Sequence, residues 1–289
     1  MQTTIRQAIR FFCGLTFAAA VVTVHGGPIE IGVSIPPQKY LAERIGGSRV
    51  LVSVLLPPGR SPTTYEPTPR QLAGLGRARV FFRIGVPFEE SVLPRLERIW
   101  PDLAIVDQAR GLRRRALGGE PHGHGEENRD PHTWLSPRLL RIQAERIRAA
   151  LLQVDPGGEP EYLAGWKRLD EDLANLDRRL QEQLLPLRGK TLLVFHPSWG
   201  YFADDYGLRQ EAIEAEGKIP NPRHLARLID QARREQIPAI FIQPQFDLAA
   251  ARALAEEIGA RVIELDPLAE NCLAGLQKAA DKISGALGQ

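Results

Sequence analysis

The chain has 289 residues, 43% of them hydrophobic, and carries 37 basic against 35 acidic side chains. That is enough chain for two packed lobes. The near-neutral balance, with no basic stripe interleaved by aromatics, excludes a nucleic-acid-binding surface.

The first stretch differs from the rest. Arg6 and Arg10 precede an apolar run from Phe11 to Val24 that includes Ala18-Ala19-Ala20, and the first acidic residue is Glu30. Residues 1–26 therefore read as a secretory signal peptide, cut between about Ala20 and Pro28. The run is shorter than a membrane span, and no other segment approaches about 18 uncharged residues. The mature chain is expected to be soluble and periplasmic. Cys13 stands in front of the apolar run, whereas a lipid-modified cysteine would follow it. Its removal leaves Cys272 as an inert thiol in an apolar helical pattern, with no partner for a disulfide.

Beyond the leader, β-rich apolar runs alternate with helical patterns, the signature of parallel sheets with crossover helices. Strands are predicted near Ile29–Val33, Val50–Leu55, Val80–Ile84 and Ala104–Val106. Helices are predicted over about Gln38–Ile45, Thr68–Leu75, Phe88–Ile99 and Pro137–Leu152, the last with a serine cap and a first-turn proline. This first α/β lobe is assigned to 27–157. Asp155-Pro156-Gly157-Gly158 breaks the pattern, and one long helix, about Tyr162–Leu185, lies within the connecting segment 158–188. At 1.5 Å per residue it is roughly 36 Å long, enough to brace both lobes. A second lobe, 189–289, follows, with strands near Thr191–Phe195, Gln210–Ile213, Ala239–Ile242 and Arg261–Leu265. Its helices are predicted near Pro222–Gln236, Leu248–Ile258 and Leu268–Leu287. The fold expected is α/β: two Rossmann-like lobes with parallel sheets, joined by one long helix, with a cleft between them.

Ligands of open α/β sheets bind beyond the carboxyl ends of the strands. His196 follows the strand ending at Phe195, Asp266 follows the strand ending at Leu265, and His132 lies in the loop that leads into a first-lobe helix. A lone histidine is more often a hydrogen-bonded structural residue than a ligand. Here, however, each imidazole stands beside a proline and near a tryptophan, so two imidazoles and a carboxylate make a plausible transition-metal shell. Asp266 also suits a helix N-cap before Pro267, and Trp134 and Trp199 suit packing walls. His224 falls inside a helical pattern. Arg113-Arg114-Arg115 reads as a solvated loop.

Five ordered strings carry a family resemblance: PPGRSPTTYEPTP from Pro57, DPHTWLSP from Asp130, FHPSWGYFADDYGL from Phe195, EGKIPNP from Glu216, and the Asp266-Pro267-Leu268 ending. From about Ile29 onward the chain resembles the ZnuA/TroA-type solute-binding proteins of zinc and manganese ABC importers. The resemblance implies a monomeric, non-enzymatic carrier that holds a divalent metal between two lobes through three histidines and an acidic residue, and that passes it to a membrane permease. Carried over by position, the second and third histidines are His132 and His196, and the acidic ligand is Asp266.

Two departures stand out. The family's first histidine is replaced by Thr63, a weak neutral ligand, and Gln243 stands where relatives often have glutamate. Three arrangements fit the first: a water held by Thr63, recruitment of His122 or His124, or another ligand altogether. His122 and His124 belong to Gly118-Gly119-Glu120-Pro121-His122-Gly123-His124-Gly125-Glu126-Glu127, which resembles a reduced form of the histidine-rich loop of zinc carriers and favours zinc over manganese. The alternatives are a carrier of a metal chelate, which Thr63 would accommodate, and a metallohydrolase using Glu66 or Glu216 as base, although the chain has no HExxH helix.

Overall fold

The computed structural model describes residues 27–117, 129–214, 222–246 and 248–288. The leader, with Cys13, lies outside them. Two four-stranded, wholly parallel sheets form the framework. The first has the order β2-β1-β3-β4, with β1 (Ile29–Val33), β2 (Val50–Val54), β3 (Val80–Arg83) and β4 (Ala104–Asp107). The second repeats that order as β6-β5-β7-β8, with β5 (Thr191–Val194), β6 (Arg209–Ala212), β7 (Ala239–Ile242) and β8 (Arg261–Glu264). Each predicted strand is present.

Sequence and position agree within the sheets. The inner strands β5 and β7 read Thr-Leu-Leu-Val and Ala-Ile-Phe-Ile and are buried at every residue, as expected where helices cover both faces. The edge strand β2 alternates instead, leaving Leu51 53% exposed. All strands of a sheet point the same way, so their carboxyl ends share one rim, and the two rims line a common cavity.

The helices are α1 (Pro36–Gly46), α2 (Pro69–Ala73), α3 (Glu89–Ile99), α4 (Pro137–Val154), α5 (Glu159–Leu184), α6 (Gly200–Tyr206), α7 (Pro222–Arg234), α8 (Leu248–Ile258) and α9 (Cys272–Leu287). Several differ from the sequence reading. Helix α1 starts two residues earlier than expected because the Gln38 side chain accepts from the amides of Ser34 and Ile35, closing its amino end. Helix α2 is short: Thr68 caps it through Gln71, and the chain leaves the helix at Gly74. Helix α9 begins at Cys272 rather than Leu268 because Asn271 caps the amide of Ala274. Helix α6 was not anticipated; it is a single aromatic-rich segment ended by Gly207 in the left-handed region, at φ 73°.

The 26 residues of α5 run about 39 Å at 1.5 Å per residue. Leu169, Leu173, Leu176, Leu180 and Leu184 repeat every three to four residues and form its buried face. That face packs on α1 and α4 of the first lobe and on α9 of the second, so one helix shares core with both. Gly165 is where α5 comes closest: a Cβ there would meet the Ile45 carbonyl oxygen at 2.5 Å. A second, smaller core around Ile213, Ile240 and Ile242 lies under α7 and α8. Among the described residues no helix is long and apolar enough to cross a membrane.

Candidate metal centre

Asp130 positions His132. An isolated bridge between Ala116 and Arg129, followed by the Asp130 amide on the Arg115 carbonyl, delivers the chain to the cleft. The buried Asp130 carboxylate then accepts from the His132 amide at 2.9 Å and from its Nδ1 at 2.7 Å, an Asx turn closed on the following imidazole. Arg115 approaches the other carboxylate oxygen at 3.7 Å, and the Tyr201 hydroxyl donates to the Asp130 carbonyl at 3.0 Å. The imidazole is therefore anchored from both lobes. Burial pushes the His132 pKa below its ordinary 6.5; Asp130 pulls the other way, and the neighbouring His196 adds to the depression. A neutral ring gives its Nδ1–H to the carboxylate and keeps the lone pair on Nε2.

His196 follows β5 and is held in the same way. Its Nδ1 lies 3.2 Å from Oε2 of Glu214, a buried carboxylate two residues beyond β6 whose amide bonds the Phe195 carbonyl. Phe246 stacks on the imidazole at 5.2 Å between ring centres. The rings of His132 and His196 stand 5.3 Å apart at 76°. Two imidazoles bound through nitrogen to one tetrahedral zinc, at about 2.0–2.1 Å each, place their ring centres about 5 Å apart. The pair has the spacing of two ligands of one ion.

The remaining expected residues are placed differently. Asp266 is exposed, and its Oδ1 accepts from the Leu268 amide at 2.9 Å and from Gln245 Nε2 at 3.2 Å, so it caps the turn that follows β8. Among the described residues no three His, Cys, Asp or Glu side chains cluster closely enough to hold an ion together. Thr63 is exposed on the cavity wall, its hydroxyl 2.7 Å from that of Ser61. Gln243, which follows β7, is buried and also lines the cavity, donating to Ser198 Oγ at 2.5 Å, with its Oε1 lacking a partner among the described residues. His122, His124, Glu216 and the side chain of His224 lie outside the described residues. Glu66 is exposed and outside the cavity lining.

Sequence reasoning missed the two carboxylates that orient the imidazoles, and Phe246. Asp130 had a local signal, since an aspartate two residues before another residue commonly accepts that residue's amide. Glu214 had none, being brought to His196 by strand order alone. The tryptophans are walls, as expected, but Trp134 does more: its Nε1 donates to the Pro267 carbonyl at 2.7 Å, tying one lobe to the other beside the histidines. The arginine run is a correction. Arg114 and Arg115 are half-buried rather than solvated, because Arg114 lies on Gly85 while Arg115 pairs with Asp204 at 2.8 Å and covers Gly200.

The cavity holds about 790 Å³. Elsewhere in its lining, the buried Glu89 accepts from Ser34 Oγ and from the amides of Ile84 and Gly85, with Arg83 at 3.4 Å. Burial raises its pKa against those bonds.

Known proteins agree with this architecture. The family profile described as zinc-uptake complex component A, periplasmic, matches residues 31–283. A zinc-bound ZnuA with an internal deletion is 40% identical and superposes with a TM-score of 0.84, covering 90% of this chain and 98% of its own. A Chlamydia muridarum protein named for metal binding is 29% identical over 273 residues, covering 93% of this chain and 96% of its own. The high-affinity zinc uptake protein ZnuA of Bacillus subtilis is 26% identical over 277 residues, covering 92% and 85%. The chain belongs to the family of zinc-uptake complex component A, metal-binding solute-binding proteins of ABC importers, and is not an enzyme.

Proposed function

We propose that this protein captures one divalent transition-metal ion in the cleft between its lobes, zinc ahead of manganese, and hands it to a membrane permease. The supporting observation is the pair of imidazoles, His132 and His196, at 5.3 Å with each Nδ1 beside a buried carboxylate. Hydrogen bonding at Nδ1 fixes the tautomer and makes Nε2 a better donor. Imidazole suits zinc, whereas manganese is held best by carboxylate and water oxygens. Asp266 supplies the acidic ligand once Gln245 releases it, and Thr63 holds a water at the position of the missing imidazole. His122 and His124 assist capture.

The protein acts as a monomer in the periplasm after residues 1–26 are removed. Because α5 shares core with both lobes, release proceeds by small lobe displacements rather than by wide opening. Calorimetric titration of the metal-stripped chain with zinc and with manganese tests this reading. One-to-one zinc uptake, tighter than manganese and weakened at least about 100-fold in His196→Ala, is the expected result. Zinc uptake that is indifferent to His196→Ala would remove the imidazole site.

A further inference from the structure

The strand pair that carries the chain to His132 is completed by a side chain of the second lobe. Ala116 and Arg129 form an antiparallel bridge, so Arg115 and Asp130 are the next residues opposed across it. Opposed residues in an antiparallel pair alternate between exchanging both backbone hydrogen bonds and exchanging neither. Arg115 and Asp130 are of the first kind, since the Asp130 amide donates to the Arg115 carbonyl at 2.9 Å. The return bond is replaced. The Arg115 amide donates at 3.2 Å to the Tyr201 hydroxyl, and that hydroxyl donates at 3.0 Å to the Asp130 carbonyl. The phenol thus stands as one rung of a first-lobe ladder, accepting on one side and donating on the other, which a phenyl ring cannot do.

Tyr201 is itself held firmly. It is buried, and the Arg115 guanidinium lies over its ring, 6.0 Å from the centre. That guanidinium covers Gly200, where a Cβ would meet it at 2.5 Å, and pairs with Asp204 at 2.8 Å. Tyr201 stands in the first turn of α6, just after His196, and the intervening chain is tightly turned. The Ser198 amide donates to the His196 carbonyl at 2.8 Å, and the Ala203 amide donates to the Trp199 carbonyl at 2.8 Å. On the other side, the Asp130 carboxylate takes the His132 amide and Nδ1. A short path therefore joins the imidazoles: along the chain from His196 to Tyr201, through its hydroxyl to Asp130, and through the carboxylate to His132. None of these bonds passes through the ion.

We propose that Tyr201 is a positioning residue of the metal centre: its hydroxyl ties the His132 segment to the helix that follows His196 and keeps the two imidazoles at ligand spacing before the ion arrives. This rests on the carrier reading above and leaves its ligand set unchanged, with Asp266 and the water at Thr63 completing the shell once the paired rings have taken the ion. The consequence falls on capture. A site whose ligands are paired only part of the time binds its ion more weakly by that fraction. Once bound, the ion holds the rings itself.

Stopped-flow mixing of the metal-stripped chain with zinc, and of the zinc-loaded chain with excess chelator, separates capture from release. Tyr201→Phe should capture zinc about tenfold more slowly and release it within about twofold of the native rate. Tyr206→Phe is the control, because its hydroxyl lies on the same helix but donates to Asp177 of α5, at 3.0 Å. Its loss should lower stability in denaturant without slowing capture. Capture by Tyr201→Phe within about twofold of the native rate overturns the inference, and so does equal slowing in Tyr206→Phe, which would assign the effect to lost stability. A native chain that takes up no zinc overturns the carrier reading itself.

Discussion

On the wall that carries His132 and His196, each Nδ1 meets a buried carboxylate. Each ring also lies against an aromatic neighbour, Trp134 or Phe246. On the wall built by the loops after β3 and β4, Arg110 and Arg113 end exposed and without a carboxylate partner among the described residues. The first wall is satisfied internally and fixed before any cargo arrives. The second is left with donors to spare. The contrast teaches that the two walls differ in what their surroundings fix: the imidazoles are held by carboxylates and aromatic rings, whereas no carboxylate among the described residues holds Arg110 or Arg113.

The strongest way to break that contrast is to unfix the first wall. Asp130→Asn keeps the shape but removes the charge that holds His132, and zinc affinity measured by calorimetry should fall about 10–100-fold. A change under twofold would mean that the imidazole needs no such support. The missing imidazole offers the converse test, at smaller magnitude: Thr63→His should raise zinc affinity about tenfold by supplying a nitrogen from the opposite loop. No gain would place position 63 out of reach of the ion. Trp134→Phe leaves the Pro267 carbonyl without its donor and should cost about 2 kcal/mol in denaturant unfolding.

The smallest effect is a pH dependence of the metal-free chain. Burial holds the folded-state pKa of His132 below 6.5, so the unfolded chain takes up the proton first. The contribution of His132 to stability is therefore complete above pH 6.5 and is lost as pH falls through that value toward the folded one. His132→Gln should flatten that part of the stability curve, and an unchanged slope would assign the dependence to other groups.

Strand positions were legible because β-branched and aromatic runs bounded by glycine and proline have few other uses, and α5 because its leucines keep one face over many turns. Chain order also places His132, His196 and Asp266 in loops at the rim. What one sequence does not display is contact across the fold. Gln38 closing α1, Glu214 beneath His196 and Arg114 resting on Gly85 each join elements whose adjacency is created by sheet order and crossover packing. Three consecutive arginines look solvated until the glycine that receives one of them is brought beside it. Helix α6 escaped for a different reason: it is seven residues long, and its periodicity is hidden within an aromatic cluster.

The bond from Trp134 to Pro267 gives the molecule an optical gauge. This indole is buried, borders the His132 ring at 5.1 Å, and is hydrogen-bonded to the residue that follows Asp266. Any separation of the lobes trades that carbonyl for water at one chromophore. Trp134 is one of four tryptophans, so its share of the emission, isolated as the difference from Trp134→Phe, tracks the width of the cleft without an attached label.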